Sequence, residues 1–284
     1  MLSEEQKRQF ERDGYILVPG ILNHDQVSRL RSFFRPEFDR PAEKRGIGDT
    51  DKVLMDIYSR YPESRWLLFH EPALSVVGSL LGDDFLVLRE SAVHLNMFVD
   101  WHKDTSAQEK SGHTFQWEDD YQMVEVGYYL QDNTEEYGGG LDVVPGSHRS
   151  PDTFYSQYDY SAPVKGQATG QKMMSLTSTV FDKIRYRIGV GTEESVKDFV
   201  SIPNKAGDLL IFDFRITHRA TRARRKIDAA HEKMAIFTAC SRNNRHAKAY
   251  SDFITQRPTY TYLQNFSYPP DFLSEAASRK VNLY

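Results

Sequence analysis

The 284-residue sequence predicts a mainly β fold with flanking helices, a helix-buttressed antiparallel barrel or sandwich. Three observations predict it. Helical signals are concentrated in the first eighty or so residues. From residue 84 onward, short apolar or alternating runs are separated by Gly, Asn, Asp and Pro. Aromatic residues make up 13%, with 16 Tyr and 17 Phe, which suits a sheet interior better than a helical bundle.

Each element has a local reason. Ser3 followed by Gln6 is a capping box that opens a short amphipathic helix ending at Gly14. YILVPGIL is extended. Asn23 caps a second helix over NHDQVSRLRSFFRPEF, with Pro36 at its exit, and EPALSVVGSLLG forms a third, closed by Gly82. FLVLRESAVHLNMFVDWH, YQMVEVGYYLQD, GGLDVVPGSH, DLLIFDFRITH and KMAIFTACS are strand segments. Residues 151–200 interrupt them with a long polar stretch, the signature of an active-site lid or an irregular loop. No repeat or linker divides the chain. It is expected to form one unit: helical support over 1–83, a β core over 84–250 with 151–200 as lid, and an extension over 251–284.

Composition excludes several function classes. A net charge of −4 gives no reason to expect nucleic-acid or membrane binding, although Arg219, Arg222, Arg224, Arg225 and Lys226 form a local basic patch. The single cysteine, Cys240, allows neither an internal disulfide nor a thiolate zinc cluster. The start has no apolar signal core and no run is long enough to span a bilayer, so a cytoplasmic setting is expected.

The chemistry starts at DWHKDTSAQ. Residues i and i+2 of a strand point the same way, so His102 and Asp104 converge while Lys103 points away. With a distant second histidine they would form the two-histidine, one-carboxylate face that holds Fe(II) and leaves positions open. His218 is the best candidate. It ends DLLIFDFRITH, where Leu210, Phe212, Phe214, Ile216 and His218 share one face if the strand is unbroken, although a histidine there, taken alone, reads better as a satisfied core residue.

In order along the chain, FERDGYILVPGIL, WHKD, VGYYLQDNTEEYGGGLDVVPGSHRS and GDLLIFDFRITHR resemble the phytanoyl-CoA dioxygenase family of Fe(II)- and 2-oxoglutarate-dependent oxygenases. The resemblance covers most of the chain. It implies a double-stranded β-helix, the cupin-like jelly roll, with the N-terminal helices packed on it. It matches His102 and Asp104 to the proximal metal ligands and His218 to the distal one, the catalytic residues of such an enzyme. Gly139, Gly140, Pro145, Gly146, Ser147 and His148 match a turn that is architectural, with His148 hydrogen-bonding the loop.

The sequence departs from the family at the cosubstrate anchor. Relatives use an arginine on the strand after the distal histidine; here HEKMAIFTACS offers Lys233, which pairs with a carboxylate but lacks the bidentate fork. Arg225 or Arg222 in the basic loop are the alternatives. Upstream, His94, Asn96, Phe98 and His102 share a face if alternation holds, which makes His94 and Asn96 further candidates for touching 2-oxoglutarate and Phe98 a candidate for the pocket. Trp117 and Tyr128 are equally readable as pocket lining or core.

The resemblance implies that Fe(II), O2 and 2-oxoglutarate (with ascorbate in assays) hydroxylate a C–H bond of a small-molecule substrate in secondary or specialised metabolism. Asp104 stands where related halogenases have Gly or Ala, which favours hydroxylation; desaturation, cyclisation and epimerisation begin the same way. A metal-binding barrel without turnover and a hydrolase using another metal are the rival readings. A monomer or homodimer is expected.

Overall fold

Helices form where the capping residues put them. The computed structural model describes residues 1–150, 196 and 198–284, so most of the expected lid, 151–200, lies outside the described residues. Ser3 and Gln6 cap each other through backbone N–H donors, and the helix Glu4–Asp13 stops at Gly14 with φ +82°. Asn23 and Gln26 repeat the device for His24–Phe34, and the third helix, Glu71–Leu81, ends at Gly82.

The strands are β1 (Tyr15–Val18), β2 (Val53–Met55), β3 (Leu86–Leu95), β4 (Met123–Tyr129), β5 (Leu141–Val143), β6 (Val200–Ser201), β7 (Leu209–Asp213), β8 (His218–Ala220), β9 (Met234–Ser241) and β10 (Asn282–Leu283). The large sheet has the order β1-β7-β4-β9-β3-β10 with β2 paired to β3; the small one is β6-β5-β8. All pairs are antiparallel except β10 on β3. Between the sheets pack Tyr129, Leu141, Val143, Leu210, Phe212 and Ile216. On the other face of the large sheet, Val126, Leu209 and Ile211 meet Phe10, Leu30 and Phe34 of the N-terminal helices. This is a double-stranded β-helix, mostly sheet with flanking helices, in which the two sheets face each other without closing.

Two segments depart from simple alternation. DLLIFDFRITH is not one strand. The Asp213 carboxylate accepts from the Arg215 backbone N–H at 2.8 Å and from its guanidinium at 2.8 and 2.7 Å, turning the chain so that β7 ends in one sheet and β8 starts in the other. FLVLRESAVHLNMFVDWH stops being a strand at Leu95, because Asn96 takes a left-handed φ of +49°. The expected alternation from His94 to His102 is therefore broken, and His102 reaches the site by another route. At the C-terminus, the helix Arg245–Ile254 runs through the expected boundary at 250. The helix Pro270–Ser278 then leads into β10. No described helix is long and apolar enough to cross a membrane.

Candidate metal centre and its cavity

His102 and His218 are placed by each other. Each backbone N–H donates to the other's carbonyl at 2.9 Å, an isolated antiparallel bridge between the loop after β3 and the start of β8. Directly opposed residues of such a pair project to the same side, and the two imidazole centroids lie 4.2 Å apart. His102 Nδ1 lies 2.6 Å from the carbonyl of Asp100 and His218 Nδ1 lies 3.0 Å from that of Ile216. A carbonyl only accepts, so Nδ1 carries the proton and Nε2 presents its lone pair.

Asp104 completes the group. Its backbone N–H donates to Phe214 at 3.0 Å. Its Oδ1 lies 3.7 Å from His102 Nε2 and 3.9 Å from His218 Nε2, while its buried Oδ2 has no hydrogen-bond partner among the described residues. Burial lowers the pKa of His218 to about 4, leaving a neutral ligand at physiological pH. Burial raises that of Asp104 to about 6, opposed by His102 and reinforced by Asp213. An anionic oxygen buried with an unmet lone pair is stabilised by a cation. Two neutral nitrogens and one carboxylate on one face fit Fe(II) with positions left open. A second group, Glu118, Asp120 and His246, also meets metal-ligand spacing. Its carboxylates already pair with Arg245 and with His246, which makes it an ion-pair network at the surface.

Lys103 does point away from the metal face, but it is more than a spacer. It is 3% exposed, and its ammonium donates to the carbonyl of Ser147 at 2.8 Å and to that of Ser150. Ser147 Oγ in turn accepts from the Thr217 N–H at 2.8 Å, and His148 Nε2 lies 3.2 Å from the Glu11 carbonyl. The Pro-Gly-Ser-His turn thus ties the loop bearing His102, the residue before His218 and the first helix together. His148 bonds that helix, not the loop.

The triad faces a cavity of about 230 Å³ lined from both sheets and from the C-terminal segment. Lys233, His94 and Asn96 line it. Lys233 is 7% exposed; its ammonium donates to Thr221 O at 3.0 Å and sits 3.8 Å from the Phe98 ring centroid. Burial lowers its pKa to about 7. The glycine run makes room for it: a Cβ on Gly138, at φ +63°, would come within 2.7 Å of Lys233 Nζ. Asn96 Oδ1 accepts from the Lys233 N–H and Asn96 N–H donates to the Lys233 carbonyl, both at 2.9 Å, so Asn96 fixes the lysine backbone.

Five expected pocket or anchor residues lie outside the cavity lining. Phe98 lies beneath the Lys233 ammonium, because the chain leaves the strand at Asn96. Trp117 lies over the Lys103 ammonium at 5.2 Å. Tyr128 faces the helix side of β4 and is buried in the core; its neighbour Tyr129 faces the cavity. Arg225 pairs with Glu136 at 3.1 Å on the surface and Arg222 with Asp100 at 3.2 Å, so the loop arginines do not enter.

Sequence reasoning missed Glu90, Glu125 and Tyr129, and the wall formed by Tyr250, Phe253, Arg257, Tyr260 and Tyr262. The two glutamates had a signal: acidic residues in the middle of apolar strands. The C-terminal wall had none, since no motif marks it.

The chain matches the family described as Phytanoyl-CoA dioxygenase (PhyH) over residues 10–226. No curated protein matches it in sequence. Among solved structures, EvdO2 from Micromonospora carbonacea var. aurantiaca aligns with a TM-score of 0.58 at 16% identity, over 85% of this chain and 91% of that one. EctD from S. alaskensis, with 2-oxoglutarate and 5-hydroxyectoine, aligns with a TM-score of 0.57 at 20% identity, covering 84% and 76%. The epimerase SnoN, in complex with Fe3+, alpha ketoglutarate and nogalamycin RO, gives a TM-score of 0.56 at 19% identity, covering 93% and 89%. These likenesses are of fold. With the family match spanning most of its length, and the His102–Asp104–His218 face in place, the chain belongs to the phytanoyl-CoA dioxygenase family of Fe/2-oxoglutarate-dependent oxygenases.

Proposed function

We propose that the protein holds Fe(II) through His102, Asp104 and His218 and uses 2-oxoglutarate and O2 to hydroxylate a C–H bond of a small molecule in specialised biosynthesis. The observation behind this reading is a single one: two outward Nε2 lone pairs and an unpartnered carboxylate oxygen meet at a cavity that a buried lysine also enters. Bound there, iron would supply the oxidising chemistry, with 2-oxoglutarate consumed to succinate and carbon dioxide.

The chain's own residues orient and shield. Lys233 pairs with the distal carboxylate of 2-oxoglutarate, and Asn96 keeps its backbone in place. Thr221 O holds the ammonium when the cosubstrate is away. His94, tilted against Phe237 with ring centroids 4.9 Å apart and kept neutral by burial, fills the wall of the cavity. The aromatic C-terminal wall excludes water from the reacting positions. SnoN, in complex with Fe3+ and alpha ketoglutarate, is an epimerase, so a protein of this fold can give an outcome other than hydroxylation.

The test is succinate formation by purified protein with Fe(II), ascorbate and 2-oxoglutarate, stimulated by a substrate found through metabolite profiling. The reading predicts an oxygenated product 16 mass units heavier. Activity retained with Zn(II) and without 2-oxoglutarate contradicts it.

A further inference from the structure

One carboxyl group in the cavity is left without a counter-charge. Asp104 faces the metal position. Lys233 is committed to a dianionic cosubstrate on the reading above, on which this inference rests. Glu90 receives the Tyr250 hydroxyl and lies in the field of Arg257. Glu125, in the middle of β4 opposite Ala239, also faces the cavity, and nothing among the described residues hydrogen-bonds it.

A second unmet group lies beside it. Tyr129 is 3% exposed, lines the same cavity, and its hydroxyl has no partner among the described residues. Gly127 stands between the two on the same face of β4, and a Cβ there would come within 3.3 Å of Tyr129 Cε2. The glycine therefore lets the tyrosine ring lie back along the strand toward Glu125. Phe237 closes the third side: the same Cβ would meet its Cε1 at 3.0 Å, and its ring stands edge-on to Tyr129, centroids 6.0 Å apart.

We propose that the substrate carries a basic nitrogen, and that its protonated form is seated between the Glu125 carboxylate, the Tyr129 hydroxyl and the ring of Phe237. A protonated amine donates to both oxygens at once and is attracted by an aromatic face. Burial, reinforced by Asp104 and Glu90, holds the Glu125 pKa well above the usual carboxylate range, and a cation seated against it is what would bring that pKa down and ionise it. A neutral hydrocarbon would leave both polar groups buried without partners, and an anionic group would add a like charge near Asp104.

The experiment compares two probes of one shape, benzylamine and benzyl alcohol, by calorimetry on the full chain loaded with Fe(II) and 2-oxoglutarate under anaerobic conditions. The amine is expected to bind at least about tenfold more tightly, the worth of one charge-assisted hydrogen bond. Glu125→Gln should remove that preference while leaving the alcohol's affinity and the 2-oxoglutarate affinity unchanged, and Tyr129→Phe should reduce it. Equal binding of the two probes by the wild-type protein, no binding of either, or an amine preference that survives Glu125→Gln overturns the proposal. Loss of the cosubstrate reading has a different signature: 2-oxoglutarate itself would fail to bind.

Discussion

At the scale of single residues, the metal face was legible because its chemistry needs few side chains at fixed spacing. His102-x-Asp104 and a later histidine suffice, and the backbone bridge between His102 and His218 brings them together. The anchor was legible as a choice between Lys233 and the loop arginines; of these Lys233 lines the cavity, while Arg225 pairs with Glu136 and Arg222 with Asp100, which supports the proposed role of Lys233. Lys233→Ala should weaken 2-oxoglutarate binding by about ten- to a hundredfold, or about 1.5–3 kcal/mol, with iron still bound. The pH dependence has a definite sign. Burial places the Lys233 pKa at about 7 in the empty cavity, so above that pH the cosubstrate must bind together with a proton. Its Kd should then rise with pH, by up to about tenfold per unit above 7, until the pKa of the bound state is reached. Lys233→Arg should flatten that profile, because a guanidinium stays charged; an unchanged slope would remove Lys233 from the binding site.

At the scale of elements, helix starts followed from local caps, whereas strand ends depended on contacts distant in sequence. Asp213 and Arg215 end β7, and the left-handed Asn96 ends β3; neither shows in a two-residue period. On β4 the two-residue period holds without a break, and adjacent tyrosines serve opposite faces. Tyr128 lies in the core against the helices and Tyr129 at the cavity. Tyr128→Ala should cost about 3–5 kcal/mol of stability, as large-to-small core changes of aromatic residues do, and leave 2-oxoglutarate affinity in the surviving folded protein unaltered. Denaturant unfolding and cosubstrate titration of the same variant measure both halves. A weakened cosubstrate affinity with intact stability would mean that Tyr128, not its neighbour, faces the cavity.

At the scale of the whole molecule, the N-terminal helices and two-sheet core were readable from pattern, but the closing of the cavity by the C-terminal segment was not. Tyr250, Phe253 and Tyr260 lie on a helix and a 3-10 segment whose sequence gives no metal or nucleotide signature, and the packing of that helix against β3 brings them to the cavity. The cavity has a global cost as well. The folded-state pKa of Lys233 lies below its unfolded value, so the full penalty of burying its ammonium is present below pH 7 and is relieved as pH rises toward 10.5. Apo Lys233→Met should therefore be more stable than wild type, by most near pH 6, with the difference narrowing toward pH 10 in thermal or denaturant unfolding. A difference that widens with pH would contradict the buried ammonium. The most direct test of the central claim is an anaerobic titration of the Fe(II)-loaded protein with 2-oxoglutarate, followed by the visible metal-to-ligand charge-transfer band. A saturable band at one equivalent, abolished by His218→Ala and shifted to higher concentration by Lys233→Ala, is the predicted result. No band, or one that survives His218→Ala, would contradict it.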